Sequence, residues 1–423
     1  MDHTLPGSLK KMKSADNVCR FCKTPLHHVF VDLGVSPLAN SYLKEEQLRK
    51  MEPHYPLCVY VCDRCYLVQL PEVQSPEEIF SDYAYFSSYS ESWLRHARDY
   101  TGLMVDRFGF DSRSQVIEIA SNDGYLLQYF KEKGVPVLGI EPAKNVAKAA
   151  QEAGIPTIVK FFGTETAREL AAQGTHADLL LGNNVLAHVP DINDFVAGMK
   201  IVLKPRGVIT MEFPHLMRLI DENQFDTIYH EHYSYLSLLS VEKVFASHGL
   251  TLFDVDELPT HGGSLRIYAR HAEDESRPVD RKIHDLRKKE ASAGLASLDS
   301  YQSFNEKVKE TKRKVLTFMI EAKRSGKSIA AYGAPAKGNT LLTYCGIRTD
   351  FIDFTVDRSP HKQDHYLPGT HIPIYHPDRI TDAKPDYLII LPWNLKEEIM
   401  DQMSSIREWG GKFVVFIPEV RIL

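Results

Sequence analysis

No apolar run in the chain approaches the roughly 20 residues that a membrane-crossing helix needs, which excludes a span of that kind. The stretch that follows Lys10, Lys11 and Lys13 is polar and cannot form the core of a signal peptide. Basic charge is not in excess either: 50 Lys and Arg stand against 56 Asp and Glu, a formal net charge of −6. A general nucleic-acid binder would present a basic face, so that class is set aside. Short-period repeats and low-complexity tracts are missing as well. The expectation is a soluble, cytoplasmic protein without nucleic-acid or membrane partners, long enough for two or three domains. Nothing like a coiled-coil seam demands a dimer; the oligomeric state stays open, with a monomer favoured.

Cysteine is scarce and uneven. Five of the six lie before residue 66, and Cys345 stands alone near the other end. Thiols clustered in a reducing compartment point to a metal rather than to disulfides. Cys19-x-x-Cys22 and Cys62-x-x-Cys65 are two knuckles, each able to turn two thiolates toward one ion, and four such ligands make a closed tetrahedral zinc site. A closed site leaves no position for substrate, so its role is structural. Cys58 has no C-x-x-C partner and is left out of the set.

From Gln115 onward short apolar strands alternate with helices: "QVIEIA", "VPVLGIEP", "IPTIVKFF", "ADLLLGNNV" and "GVITMEF" are separated by amphipathic stretches. This alternation predicts a doubly wound, mostly parallel sheet, with ligands outside the carboxyl ends of its strands. Residues 276–326 are charged, with Phe304, Val308, Val315, Phe318, Met319 and Ala322 at helical spacing, which predicts a helical connector. A second α/β unit follows, with strands in "SIAAYG", "DFIDFTVD", "PDYLIILPW" and "GKFVVFIP". The expected domains are 1–75, binding zinc; 76–272, the doubly wound sheet; and 273–423, the connector with a Rossmann-like α/β domain.

Within the first sheet the turn "SNDG" puts Asn122, Asp123 and Gly124 between a strand and its helix, where a ligand can approach the backbone. It is not G-x-G-x-x-G, which disfavours a dinucleotide. Glu141 ends the next strand, placed to accept hydrogen bonds from ribose hydroxyls. In the last domain "GAPAKGNT" has the glycine separation of a P-loop but Asn339 in the lysine position, which argues against ATP hydrolysis. Its backbone N–H groups and Lys337 suit a diphosphate. Asp357 and Lys362 lie where a ribose or phosphate would be read, and Trp393 and Asn394 where a base would stack or bond. The segment "FDTIYHEHYSY" carries His230 and His232 two apart, a spacing that does not form the H-E-x-x-H zinc motif. It follows the strand "GVITMEF" and therefore sits above the carboxyl edge of the sheet.

"VIEIASNDGYLL", "GIEPA" and "NNVLAHV" resemble the cofactor loops of class I S-adenosylmethionine-dependent methyltransferases, with Ala120–Gly124 in place of the usual G-x-G. The order of "C-x-x-C … C-x-x-C-x-L-V-Q-L", "YAYFSSYS", "SNDG", "FDTIYHEHYSYLS", "HGGSLRIY", "GAPAKGNT" and "VDRSPHKQ … LPGTHIPI" is similar to that of sugar C-methyltransferases acting on nucleotide-linked keto-deoxysugars. The resemblance runs over nearly the whole chain. It implies a zinc domain, a central methyltransferase domain and a C-terminal Rossmann-like domain, with S-adenosylmethionine and structural Zn2+ as cofactors. It also implies methylation of a ring carbon, C-3 expected, of a dTDP- or GDP-linked 4-keto-6-deoxysugar. Carried over, Glu118, Ala120, Asn122, Asp123, Gly124, Glu141, Pro142, Asn183 and Asn184 bind the cofactor. His232 is the base, Glu231 orients the sugar or tunes the site, Tyr229 hydrogen-bonds near the keto oxygen, Tyr83 is the other active-site tyrosine, and His188 and Tyr85 contact the sugar. In an extended strand Glu231 and His232 would face opposite ways, so both reach one substrate only if the loop curls. His230 remains a rival for the base. The alternatives are an O- or N-methyltransferase of small molecules and an inactive zinc- and cofactor-binding scaffold.

Overall fold

The computed structural model describes residues 17–76 and 86–423. Three sheets organise them. The first begins with β1 (His28–Ser36), β2 (Tyr55–Val61) and β3 (Val68–Gln69), all antiparallel. Alternating burial along β2, with Leu57, Val59 and Val61 inside, turns one face of this sheet to a core.

The second sheet contains β4 (Val116–Ile119), β5 (Val137–Ile140), β6 (Thr157–Ile158), β7 (Ala177–Asn183) and β8 (Leu203–Pro214). Short β9 (Ser234–Tyr235) leaves it to join the first sheet beside β3, pairing Val68 with Tyr235 and Gln69 with Ser234. β10 (Leu250–Leu258) and β11 (Ser264–His271) complete the second sheet, whose order is β10-β11-β8-β7-β4-β5-β6. β4 to β8 run parallel, and β11 lies antiparallel between β8 and β10. The order reverses between β4 and β7, which opens a crevice at their carboxyl ends. A long helix, Glu91–Phe108, covers one face; Ser90 caps it by accepting the Trp93 N–H, and Gly109 at φ +71° ends it.

The expected connector is two helices, Arg281–Ser292 and Leu298–Arg324. The third sheet follows, with β12 (Ile329–Tyr332), β13 (Thr355–Val356), β14 (Ile374–Tyr375), β15 (Tyr387–Ile390), β16 (Lys412–Val415) and β17 (Arg421–Ile422). Its order, β14-β13-β12-β15-β16-β17, is that of a Rossmann sheet, antiparallel only at β17. The stretch "GAPAKGNT", with the glycine separation of a P-loop, is mostly helix, Ala336–Cys345, in which Gly338 allows close packing against Leu391. One apolar core joins the first and third sheets. In it Phe30 of β1 stacks on Phe304 of the long connector helix, with centroids 4.7 Å apart.

Candidate active site

The four knuckle cysteines converge. Their Sγ atoms all lie within 4.8 Å of one another, with Cys19 to Cys65 and Cys22 to Cys62 at 3.5 Å. Tetrahedral zinc with Zn–S bonds of about 2.3 Å would set its sulfurs about 3.8 Å apart, so the cluster fits that ion. Gln69 Nε2 donates to Cys19 Sγ at 3.2 Å, the outer support that thiolate sites use. Cys58 stays outside the cluster. The knuckle also reaches the loop and helix that follow β7: Arg20 Nη1 donates to the Pro190 carbonyl at 2.7 Å. Asn193 Nδ2 donates to the carbonyls of Arg20 and Phe21, both at 3.0 Å.

Pro190 borders a cavity of about 540 Å³ at the crevice between β4 and β7. The turn after β4 has Ala120, Asn122 and Gly124 at φ +55°, +51° and +79°, a tight path that exposes backbone to the cavity. Asn122 Oδ1 and Asp123 Oδ2 accept the N–H groups of Ser87 and Ser88, so these side chains fix the segment entering the long helix. Glu141 lies at the end of β5; its two oxygens accept the N–H groups of Asn122 (2.9 Å) and Ala143 (2.8 Å). Burial raises its pKa against the effect of those bonds. Asn183, at the end of β7, lines the cavity with neither side-chain polar atom bonded among the described residues. Glu118 is fully buried behind the turn, with neither carboxylate oxygen bonded among the described residues. Burial, then the charges of Glu141 and Asp123, drives its pKa well up, toward the neutral acid. An unpaired Asn183 amide, a fixed carboxylate and the apolar walls Ile119, Ile140, Phe161 and Phe162 suit an adenosine with a polar tail.

The histidine-rich loop does curl. His232 N–H bonds back to the Tyr229 carbonyl at 2.9 Å, and this turn separates the three side chains. His232 enters the cavity, packed between Tyr229 (centroids 4.1 Å) and His188 (4.7 Å). Its Nδ1 lies 2.8 Å from the Thr227 carbonyl, which can only accept; the proton is therefore on Nδ1, and Nε2 carries the lone pair, with no hydrogen bond among the described residues. Burial first, then His188, holds its pKa well below the ordinary value, with the Thr227 carbonyl opposing. His230 instead points away, its Nε2 3.2 Å from the Pro56 carbonyl and its ring against Tyr55. Glu231 is buried and accepts from Asn40 Nδ2 at 2.5 Å, one residue back from the cavity. His188 lines the cavity, with burial lowering its pKa to about 4. Tyr83 and Tyr85 lie outside the described residues.

The third sheet closes the cavity from above. Lys337 is buried at its wall; Nζ donates to Asn394 Oδ1 at 2.7 Å and sits 4.7 Å from the centre of the Trp393 ring. Trp393 Nε1 donates to Asp226 Oδ2 at 2.7 Å, so this indole is committed to the protein. Asp226 is pushed up to about 6 by burial, against Lys337 and that bond. Lys362 lines the cavity and donates to the Ala334 carbonyl at 3.0 Å. Asp357 lies behind it, accepting the N–H groups of Ala334 and Ser359.

The structure thus gathers Ala120, Asn122, Glu141, Pro142, Asn183, Asn184, His188, Tyr229, His232, Lys337 and Lys362 around one space. Glu118, Asp123, Gly124, Glu231, Asp357, Trp393 and Asn394 stand behind that wall. Sequence reasoning missed Trp93, Asn40, Tyr42 and His261, which also line it. Of these only His261 carried a signal, in "HGGSLRIY".

Family models match three successive stretches of the chain. Residues 19–80 match a family model described as a zinc binding domain. Residues 93–255 match one described as a methyltransferase domain, and 259–418 one described as a C-methyltransferase C-terminal domain. The chain is 37% identical over 407 residues to the C-methyltransferase NovU of Streptomyces niveus, covering 96% of each. A ubiquinone biosynthesis O-methyltransferase of Rhizobium etli is 27% identical over 165 residues, 35% of this chain and 66% of that one. Among solved structures, the PH0226 protein of Pyrococcus horikoshii is 15% identical, covering 46% of this chain and 97% of that one, at a TM-score of 0.37.

Proposed function

This chain belongs to the family of S-adenosylmethionine-dependent C-methyltransferases, and on that premise we propose that it methylates a ring carbon, C-3, of a nucleotide-linked 4-keto-6-deoxysugar through an enolate. Its cofactors are S-adenosylmethionine and structural zinc. Bound S-adenosylmethionine supplies a methyl group activated by a sulfonium.

A carbon beside a ketone becomes nucleophilic only when it loses a proton. The observation that carries the reading is His232, neutral, inside the cavity, with Nδ1–H tied to Thr227 and Nε2 left as acceptor. In this reading Nε2 takes the proton, Tyr229 and His188 hold the sugar beside it, and Glu231 keeps the loop in place through Asn40. Asn183 and Glu141 hold the cofactor's polar groups on the opposite wall. Lys337 and Lys362 offer positive charge to a diphosphate, which supports a dTDP- or GDP-linked substrate. Asp357, Trp393 and Asn394 support that wall rather than touch the nucleotide. The units 1–75, 76–272 and 273–423 serve as metal-bound brace, cofactor platform and substrate roof. A site of four thiolates on zinc suits a reducing compartment, which supports a cytoplasmic enzyme.

The test is incubation with S-adenosylmethionine and dTDP- or GDP-linked 4-keto-6-deoxysugars, with the product located by NMR. A new methyl on a ring carbon is expected. A methyl on oxygen, or none with any of these sugars, contradicts the reading.

A further inference from the structure

The connection between β10 and β11 carries an imidazole that none of these roles uses. His261 sits at φ +54°, a left-handed conformation that a side-chain-bearing residue adopts under constraint. Gly262 and Gly263 follow at φ +87° and +113°. A Cβ on the first would fall 2.5 Å from Trp393 Cη2, and one on the second 2.7 Å from Arg218 Cγ. The strained turn therefore presents one side chain, and it presents it to the cavity, which His261 lines together with Trp93, Asn184, His232 and Lys337.

The ring is fixed in direction and in tautomer. Trp93 packs edge-on to it, with centroids 5.0 Å apart and planes at 65°. Asn184 Nδ2 lies 2.9 Å from His261 Nε2. An amide nitrogen only donates, so Nε2 accepts and the ring proton is on Nδ1. Nδ1 makes no hydrogen bond among the described residues. Burial, then Lys337, lowers the pKa to about 4, which keeps the ring neutral.

We propose that His261 is a further catalytic residue, whose neutral Nδ1–H donates to the substrate's carbonyl oxygen and stabilises it as the enolate forms. The proposal rests on the enolising reaction above. As His232 Nε2 takes the α-proton, the C–H electron pair becomes the new C=C bond and the carbonyl π pair moves onto oxygen. His261 keeps its proton throughout, because a neutral imidazole donates a hydrogen bond without surrendering it. When the carbon attacks the methyl group, the carbonyl re-forms and the S–C electron pair returns to sulfur.

Removing one such donor typically costs a factor on the order of 10² to 10³ in rate. Three variants separate the donor from the backbone: His261→Ala, His261→Asn and His261→Asp. Asn places an N–H near the Nδ1 position; Asp matches its shape without the donor, and both tolerate positive φ. The assay uses a dTDP-4-keto-6-deoxysugar in deuterated buffer. Ring-proton exchange is read with S-adenosylhomocysteine and methyl transfer with S-adenosylmethionine, and S-adenosylmethionine affinity is measured by calorimetry. Ala and Asp are expected to slow exchange and transfer together by about 100-fold or more, with affinity unchanged, while Asn stays within about tenfold of wild type. Should Ala not fold, the Asn and Asp pair decides. Wild-type exchange rates in Asp or Ala, or a loss matched by equal loss of cofactor affinity, overturn the proposal. Failure of the wild type to exchange overturns the enolisation reading instead, and the role of His261 with it.

Discussion

At the scale of single residues, the segment "FDTIYHEHYSY" named which side chains were candidates, but only the turn decided between them. His230 and His232 are equivalent in sequence spacing; the bond from His232 N–H to the Tyr229 carbonyl sends one to the cavity and the other to Pro56. That direction depends on backbone dihedrals that no residue type dictates, so it was not legible. The electrostatics around His232 predict a pH profile. Because burial, His188, His261 and Lys337 hold its pKa below about 6.5, the neutral base persists as pH falls, and the acid limb of kcat/KM should lie under that value. Lys337→Met removes a positive charge that depresses it, so the limb should move to higher pH; an unmoved limb would mean that another group titrates. Trp393→Phe is expected to lower stability by about 1–3 kcal/mol in denaturant melts. It strips the Oδ2 partner from buried Asp226, whose Oδ1 already has none among the described residues.

Among elements, the long apolar strands and the helical connector were readable from periodicity, and the class I methyltransferase sheet and the Rossmann-like sheet are as expected. The two-residue strands were not. "IPTIVKFF" yields only Thr157–Ile158, and β9 pairs outside its own sheet, because its partner β3 lies over 160 residues away in sequence. The knuckles were legible as a metal site, since C-x-x-C spacing reflects local turn geometry. Their grip on the cofactor wall was not, since it runs through Arg20 and Asn193. This link gives a prediction: chelation of zinc, or Cys62→Ser, should destabilise the protein by several kcal/mol and weaken S-adenosylmethionine binding at least about tenfold by calorimetry. Unchanged affinity after metal loss would show that the brace does not act on the Pro190 loop.

Across the whole molecule, the cavity around His232 is lined from more than one sheet. The second sheet supplies its floor, the loop leading to β9 its base, and the start of the Ala336–Cys345 helix its roof. The apolar core shared by the first and third sheets ties roof to brace. Phe30→Ala, which removes the stack on Phe304, is expected to cost about 3–5 kcal/mol and to lower one common unfolding transition in calorimetry. Independent melting of the C-terminal part would contradict that coupling. The central claim is that His232 removes a proton from carbon. Its most direct test is exchange of the sugar's ring proton with deuterated solvent, in the presence of S-adenosylhomocysteine, by wild type beside His232→Gln. The account predicts exchange in the wild type and its loss in the variant with cofactor affinity retained; equal exchange in both would contradict it.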